Sequence, residues 1–328
     1  MLYFYYALIF RLLHVSIWEN YCRFFGHISM LIMRFTHWES CSPEEYSLSC
    51  QRFGYNCESS PEFLNFMMEH GAPVKFFSYK KKGELLGSVA VENGWLANDI
   101  KNKTSAVNYL PIPRCSVYLP FSDALSNKPI LPFRAKCLHP LQNKLFLNTS
   151  YSLFNKRNVA ISKDLHSGFS KKTVSTRERE IRKFYNSGGD FINVSEVDGS
   201  QLFDIYSDLY YARRSERIEM ADVNREFFIK HSSCFKGNLM MLNDEPVAIQ
   251  LLVSVISHGK FFVDFINIGY RQTKNSHSLG TMIMWKNLTT LTEEAKEKGL
   301  DLFYSYGFMS GEYKNRWCNP HSTGRVLI

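Results

Sequence analysis

The chain has 328 residues, enough for two domains of ordinary size or one large domain. Its hydrophobic content of 45% and aromatic content of 15% supply enough apolar surface for real cores, which excludes a wholly disordered protein. The formal net charge of +8 is compatible with nucleic acid, an anionic membrane surface or a phosphorylated ligand, and it is too small to decide among them.

The eight cysteines are scattered without a CxxC pair. Such scatter is typical of reduced thiols in a reducing compartment, and the spacing of Cys50 and Cys57, with Cys41 and His37 upstream, is loose for zinc. The sequence therefore predicts no metal site.

The first segment, MLYFYYALIFRLLHVSIW, is strongly apolar but is interrupted by Arg11 and His14. No uncharged run in it approaches the ~20 residues that a membrane-spanning helix needs, and no cleavage site of a signal peptide follows it. Three interpretations stay open: a membrane-associated helix, a buried helix, or a translated upstream extension before Met33. We treat residues 1–32 as a separate segment.

Residues 33–160 form the first predicted domain. The stretch VKFFSYKKKGELLGSVAV predicts a hairpin with its turn at residues 81–83. The prolines between Pro111 and Pro140 exclude long helices there and favour short strands joined by loops.

A basic stretch, SKDLHSGFSKKTVSTREREIRKFYNSGG, opens the second predicted domain, residues 161–328. Ser175 and Glu178 match a capping box, so a helix is predicted to begin near Ser175 and to end at Gly188-Gly189. Two interpretations of its cations stay open: a solvated helix face, or a groove for phosphates.

A second helix is predicted after Ser200. Leu202, Tyr206 and Leu209 recur at helical spacing and form an apolar face, which ends at Arg213. A cation at that position either pairs with a carboxylate or binds an anionic ligand.

The remaining elements are a three-stranded meander, a helix and a strand. The loop IGYRQTKNSHSLG leads into the helix. The hairpin within the meander repeats the pattern of the first hairpin, which indicates an internal structural duplication. The predicted strands cover about 238–242, 247–254 and 261–267, the helix covers 281–298, and LDLFYSY begins the last strand at 300.

This order of elements is that of the GNAT acyltransferase core, and short motifs carry a further resemblance. SKKTVSTREREIRKFYNSGG, DEPVAIQLLV, SLGTMIMWKNL and YKNRW are similar to signatures of Fem-type, GNAT-like transferases. KGELLGSVAVENGWLANDIKN and TREREIRKF resemble the Mig family of enteric bacteria, and the likeness extends from Met33 onward. The resemblance implies an α/β (mixed α+β) chain with a tandem GNAT-like acyl-CoA N-acyltransferase fold, in which mixed sheets are flanked by helices.

The Mig family is linked to survival of cationic antimicrobial peptides and is associated with the inner membrane. The resemblance therefore implies a protein that promotes resistance to such peptides and survival in host cells, by acyl or aminoacyl transfer to an envelope or peptide amine. It also implies a place on the cytoplasmic side of the inner membrane, or in the cytoplasm if residues 1–32 are not translated. Acyl-CoA and aminoacyl compounds both stay open as donors, because the usual Gly-rich RxxGxG/A turn is missing.

Two other function classes stay open: a non-catalytic binding or scaffold protein at the inner membrane, and a DNA-binding transcriptional regulator. The sequence argues against nucleic acid because it contains no evident helix-turn-helix pair, and because Glu178 and Glu180 alternate with the cations of TREREIRKF. The expected partner is an anionic or acyl-bearing small ligand.

Candidate binding residues lie where the loop enters the last long predicted helix. In GNAT-like folds this loop points backbone N–H groups at a pyrophosphate, helped by the helix dipole. Ser278, Gly280 and Thr281 occupy that place here, and Arg271 and Lys274 are near enough in sequence to add charge. Ser278 and Thr281 have an alternative role as plain helix caps.

Asp264 is the candidate general base. It shares a predicted strand face with Phe262 and Ile266, and apolar neighbours tend to raise the pKa of a carboxyl group, which suits proton transfer. Its alternative role is an ion pair with Arg213 or Lys260.

The segment YKNRW follows the last predicted strand and has no helical or strand period. Lys314 and Arg316, together with Arg213, are candidates to hold phosphate or carboxylate, with Tyr313 and Trp317 packed around the ligand. The alternative is a surface loop whose cations point into solvent.

Overall fold

The computed structural model describes residues 36–99, 106–123, 125, 127–153, 157–271 and 278–327, so the apolar segment 1–32 and Lys274 lie outside the described residues. The helices in this part are α1 (Pro43–Phe53), α2 (Pro61–Glu69), α3 (Lys171–Asn186), α4 (Gly199–Arg214), α5 (Ala221–Lys230), α6 (Leu279–Glu297) and α7 (Lys314–Trp317). The strands are β1 (Trp38–Cys41), β2 (Val74–Lys81), β3 (Glu84–Glu92), β4 (Trp95–Leu96), β5 (Thr149–Ser150), β6 (Asn158–Ser162), β7 (Gly189–Asn193), β8 (Phe235–Lys236), β9 (Asn238–Leu242), β10 (Glu245–Ser257), β11 (Lys260–Tyr270), β12 (Asp301–Phe308), β13 (Cys318–Ser322) and β14 (Arg325–Val326). No helix within these ranges combines the length and the apolar character needed to cross a membrane.

The described residues form three sheets, one of which is only the antiparallel pair β5–β14. Of the two main sheets, the smaller sheet is antiparallel, with the strand order β1-β2-β3-β4. Its central hairpin, β2–β3, is the one that the sequence predicts. Lys82 and Gly83 connect the two strands with φ angles of 53° and 80°. A tight hairpin turn requires positive φ at both central residues, and glycine adopts it without steric cost. The predicted hairpin is confirmed.

The two faces of the smaller sheet pack against different parts of the chain. Phe76 and Ala90 face α1 and α2, while Tyr79 and Val89 face apolar side chains of the proline-rich segment 110–146. That segment contains short 3-10 turns and isolated bridges, as the prolines predict.

The larger sheet has the order β13-β6-β12-β11-β10-β9-β7, and β8 pairs with the other part of β10. All of these pairs are antiparallel except β11–β12, which is parallel. The turn between β9 and β10 uses Asn243 and Asp244, with φ angles of 51° and 64°. The predicted meander is confirmed, and its last two strands are longer than predicted.

The basic helix α3 begins earlier than predicted. The Ser170 side chain accepts a hydrogen bond from the Thr173 backbone N–H at 3.2 Å, which makes Ser170 the N-cap. Ser175, predicted as the cap, lies inside the helix, so the capping-box prediction is wrong. Of these two serines, only Ser175 has an acidic residue three positions on, so the capping-box pattern favours the wrong serine, while Ser170 has Thr173 at that position.

The core joins the first half of the chain (36–153) to the second half (157–327). Phe63 and Phe66 of α2 pack against Phe227 of α5, with ring centroids 5.1 and 5.2 Å apart. One continuous apolar cluster contains residues of α1, α2, α4, α5 and β10. The predicted domain boundary at 160/161 falls within β6, which pairs with both β12 and β13 in the larger sheet.

Candidate functional site

The parallel strands β11 and β12 part in the middle of the larger sheet. Their registered pairs end at Asp264 and Ser305, although both strands continue beyond these residues. Two cavities lie at this gap, and Phe265 lines both of them. A break in a parallel ladder exposes backbone and side chains that a continuous sheet would cover, so the gap is a natural place for a ligand.

The first cavity, which we call the helix cavity, has a volume of ≈ 610 Å³ and lies at the N-terminus of α6. Its lining contains three arginines and, among the described residues, no carboxylate. That charge distribution suits an anion. Most of the predicted binding residues line it although they are far apart in the sequence: Arg213, Arg271, Ser278, Gly280, Thr281, Tyr313 and Arg316.

Arg213 is held in place by neutral groups. Its Nη1 donates to the Ile268 carbonyl oxygen at 2.7 Å, and its guanidinium lies over the Tyr270 ring, 5.2 Å from the centroid. The alternative of a carboxylate partner is not realised within the described residues. The guanidinium charge therefore stays available to the helix cavity.

The N-terminus of α6 faces the same cavity. Ser278 is the N-cap residue, but its side chain accepts no capping hydrogen bond within the described part of the chain. The Ser278 side chain, considered as a cap, therefore leaves the first backbone N–H groups of this long helix unoccupied. These groups carry the partial positive charge of the helix end. A Cβ added at Gly280 would meet the Ile268 side chain at 3.6 Å, an ordinary contact, so packing does not demand glycine there.

Lys314, predicted as a ligand for phosphate or carboxylate, does not line the helix cavity, and the alternative of a cation that points into solvent is wrong as well. Only 6% of this residue is exposed, and it begins the short helix α7. Its Nζ donates to the carbonyl oxygens of Tyr306 at 2.6 Å and Phe308 at 2.5 Å. Both carbonyls belong to the part of β12 that has left β11, so the ammonium supplies donors at that strand end. Burial lowers the pKa of Lys314.

The other members of the YKNRW segment divide between core and surface. Trp317 is buried and packs against the rings of Phe169 and Trp285. Tyr313 is 49% exposed and Arg316 is exposed, and both reach the helix cavity. Trp317 therefore forms part of the wall of the helix cavity, whereas Arg316 remains a candidate anion ligand, as predicted.

The second cavity, which we call the sheet cavity, has a volume of ≈ 720 Å³ and is lined by both halves of the chain. Asp99, Asn108 and Cys115 come from the first half, and Asp264 and Phe308 come from the second. Asp264, the predicted general base, thus lies on the opposite side of the gap from the predicted anion-binding residues.

Asp264 belongs to a buried cluster that includes a second carboxyl group. One oxygen of Asp264, one of Glu58 and the Cys115 Sγ lie within 4.8 Å of one another. The Ser305 hydroxyl and the Cys57 thiol lie beside Asp264 and partly offset the effect of burial on its pKa. Neither of the predicted ion pairs, with Arg213 or Lys260, is formed.

Glu58 is completely buried in a 3-10 turn between α1 and α2. The Asn56 Nδ2 donates to its Oε2 at 2.7 Å, and the Ser116 backbone N–H donates to its Oε1 at 2.9 Å. A further backbone N–H, of Cys115, lies 3.3 Å from Oε1. Carboxylate and thiolate groups are also metal ligands, so these residue types would suit a metal ion as well as a shared proton. The N–H donors on both oxygens of Glu58 stabilise its ionised form.

The electrostatics of the pair favour a shared proton. Burial raises the pKa of Glu58 and of Asp264, and the neighbouring Asp264 charge raises that of Glu58 further. Two buried carboxyl groups this close do not both ionise at neutral pH. Both shifts favour a proton bound to the pair, and the direction of the Asp264 shift is the one that the sequence predicts.

Sequence analysis missed Glu58, Asn108 and Asp99. The stretch NCESSPEF around Glu58 indicates a helix start, because two serines precede a proline and an acidic residue. Within that pattern Glu58 looks like an ordinary loop residue, so the local sequence does not mark it as a functional residue. Its contact with Asp264 joins residues that are far apart in the chain, and no local pattern encodes such a contact.

Comparisons with known proteins agree with this architecture. A sequence model of the Mig-14 family matches residues 60–326. The structure is similar to that of FemX, with a TM-score of 0.52 and 10% identity over 88% of this chain and 97% of that one. L-PGS from Bacillus licheniformis gives a TM-score of 0.46 and 13% identity, over 88% and 92% of the two chains. A tandem GNAT protein from the clavulanic acid biosynthesis pathway gives 0.40 and 7%, over 88% and 97%. Comparison with curated protein sequences found no match.

The likeness to FemX concerns the fold, since identity is low. The mixed α/β, tandem GNAT-like fold expected from the sequence is confirmed.

Proposed function

The chain belongs to the Mig-14 family, and we propose that it is a GNAT-like transferase that moves an acyl or aminoacyl group from an activated donor to an amine. One observation carries the proposal: β11 and β12 part between a cavity lined by three arginines and a cavity lined by Asp264, one member of the buried carboxyl pair. The first suits the phosphates of a donor, and the second suits an amine that has to lose a proton.

The donor would lie in the helix cavity. Arg213, Arg271 and Arg316 surround it with positive charge, and the α6 N-terminus adds backbone N–H groups. An acyl group attached to a phosphorylated carrier would then extend past Phe265 into the gap. Acyl-CoA and an aminoacyl ester of a nucleotide both have the required anionic carrier.

The acceptor amine would approach from the sheet cavity. Its nitrogen attacks the carbonyl carbon of the donor, a C–N bond forms, and the bond from that carbon to the sulfur or oxygen of the carrier breaks. The nitrogen loses a proton to the ionised member of the Asp264–Glu58 pair, and the departing sulfur or oxygen gains one from solvent. Asp264 is suited to this task because burial raises its pKa to about 7.

The test is donor binding and transfer with the purified full-length chain. Acetyl-CoA and an amide-linked aminoacyl analogue of adenosine 5′-monophosphate are titrated calorimetrically, and transfer of a labelled acetyl group from acetyl-CoA to an amine is then measured. Arg316→Ala should weaken donor binding about tenfold, the loss of one charge-assisted contact worth ~1.4 kcal/mol. Asp264→Asn should abolish transfer and leave donor binding intact. A chain that binds neither donor would contradict the proposal.

We further propose that this transfer underlies resistance to cationic antimicrobial peptides, which the family resemblance implies, and that the chain acts at the cytoplasmic side of the inner membrane. A strain lacking the chain would be complemented with the parent or with Asp264→Asn at equal protein level. Loss of protection with the variant supports catalysis. Full protection with the variant would instead make the chain a non-catalytic binding protein.

A further inference from the structure

A third cavity continues the sheet cavity away from the gap. It has a volume of ≈ 520 Å³, and we call it the tyrosine cavity because Tyr109, Tyr206 and Tyr210 line it. Asn108 and Ile266 line both this cavity and the sheet cavity, so the two adjoin at these residues. The carboxyl pair is at one end of this path and the tyrosines are at the other.

The residue at the junction has a polar side chain with no partner. Asn108 is 6% exposed, and neither its amide nitrogen nor its amide oxygen makes a hydrogen bond within the described structure. Buried polar groups are nearly always satisfied, because burial without a partner loses the hydrogen bonds that water would make. An amide left unsatisfied beside two cavities is the expected state of a group whose partner is a ligand.

A second buried polar atom of the sheet cavity supports the same conclusion. Asp99 is 2% exposed and lines the sheet cavity, where its Oδ2 accepts the Lys136 backbone N–H at 2.5 Å. Its Oδ1 has no hydrogen-bond partner in the described part of the chain. The wall therefore offers two acceptors and one donor: Asp99 Oδ1, Asn108 Oδ1 and Asn108 Nδ2.

We propose that the acceptor is a peptide-like chain whose amide group pairs with Asn108, and this inference rests on the proposed transferase function. An amide carries one N–H donor and one carbonyl acceptor, so it satisfies both atoms of the Asn108 side chain at once. A simple alkylamine has no carbonyl oxygen, so with its nitrogen at Asp264 it leaves Asn108 Nδ2 without an acceptor. The amino end of the chain would reach Asp264 through the sheet cavity, while its following side chains would pack on Tyr206 and Tyr210 in the tyrosine cavity.

Asn108→Leu tests this because it separates stability from binding. Leucine has a similar size and no polar atom, so the variant removes an unsatisfied buried amide and should raise the melting temperature by about 2 °C or more. The probes are trialanine amide, which has an amine and peptide groups, and butylamine, which has the amine alone. Calorimetry on the full chain should show trialanine amide bound at least about tenfold more weakly by the variant. Butylamine should bind equally to variant and parent.

Asn108→Ala covers the case in which the leucine variant does not fold. It removes both polar atoms without adding volume or charge, so it should also weaken trialanine amide and leave butylamine unchanged. Unchanged affinity for trialanine amide in either folded variant overturns the inference, as does an equal loss of affinity for both probes, which would mean that Asn108 only shapes the cavity. A parent chain that binds neither probe overturns it as well.

The outcomes separate this inference from the proposed function. Transfer to butylamine as efficient as transfer to trialanine amide leaves the transferase intact and removes the peptide-like acceptor. Binding of trialanine amide that depends on Asn108, in a chain that transfers nothing from any donor, removes the transferase and keeps the peptide site.

Discussion

The ammonium of Lys314 and the guanidinium of Arg316 are two positions apart, yet they have opposite surroundings. Lys314 is enclosed and bonded to two carbonyl oxygens of β12, while Arg316 is exposed beside the helix cavity. In the sequence both appear as cations after a strand. The difference arises because α7 turns alternate side chains toward β12 and toward solvent, which no charge pattern reveals.

Lys314→Ala should therefore destabilise the fold. The change leaves the carbonyl oxygens of Tyr306 and Phe308 without their donor, and hydrogen bonds to a charged group are worth ~1.5–3 kcal/mol. We expect a free energy of unfolding lower by about 2 kcal/mol in urea denaturation. Arg316→Ala is the matched control and should stay within ~0.5 kcal/mol of the parent, since its side chain is exposed. Equal stability of the two variants would refute the structural role of Lys314.

Asp264→Asn should change how stability depends on pH. Burial raises the pKa of Asp264 in the folded chain above its unfolded value of ~3.9, so the folded state binds the proton more tightly. The stabilising contribution of the protonated form is complete below the unfolded pKa, and it declines as pH rises toward the folded pKa. An asparagine has no such decline.

The melting temperature of Asp264→Asn relative to the parent should thus increase as pH is raised from about 5 to about 7, and level off above the folded pKa of about 7. A constant difference would mean that Asp264 is ionised in the folded chain throughout this range.

At the scale of elements, packing requires glycine at one of two positions near the helix cavity and does not require it at the other. A Cβ at Gly269 of β11 would lie 2.7 Å from the Leu209 backbone of α4, closer than real atoms approach. A Cβ at Gly280 of α6 would have only ordinary contacts. Gly269 therefore sets how closely α4, which carries Arg213, lies on the sheet.

Gly269→Ala should push α4 away from β11, costing roughly 1–3 kcal/mol as an overpacked core position does, and it should weaken donor binding through Arg213. Gly280→Ala should keep or raise stability by up to ~1 kcal/mol, because alanine favours a helix. Denaturation and donor titration on both variants measure this. Similar destabilisation by both changes would be inconsistent with the close α4–β11 contact.

The elements that sequence analysis predicted well are those whose signals are local. The turns at Lys82-Gly83 and Asn243-Asp244 identify their hairpins, and the apolar face of Leu202, Tyr206 and Leu209 identifies α4. The gathering of the predicted binding residues at the helix cavity followed from the family resemblance. The role of Glu58 could not be predicted, since it depends on a contact with Asp264, which is far from Glu58 in the sequence.

At the scale of the whole molecule, the site depends on both halves of the chain. The carboxyl pair joins Glu58 of the first half to Asp264 of the second, and the sheet cavity takes Asp99 and Asn108 from one half and Phe308 from the other. The core that surrounds Phe63 and Phe227 is shared in the same way. A division into two domains at residue 160 remains a prediction, and the contacts on either side of it make mutual stabilisation of the halves the physical expectation.

The fragment 33–328 should fold without residues 1–32, because both main sheets and the shared core lie within it.

The fragment 161–328 should not fold stably. It loses most of β6, whose removal leaves β12 and β13 without their common neighbour, and it exposes the apolar face of α5 that covers Phe63 and Phe66. A fragment that begins at residue 150 restores β6 and leaves the exposed α5 face as the remaining defect, so the three fragments separate the two causes. Thermal unfolding followed by circular dichroism should show one cooperative transition for 33–328, a weak one for 150–328 and none for 161–328. A cooperative transition for 161–328 at the temperature of 33–328 would show that the second half is an independent domain. It would also show that the second half folds without Glu58.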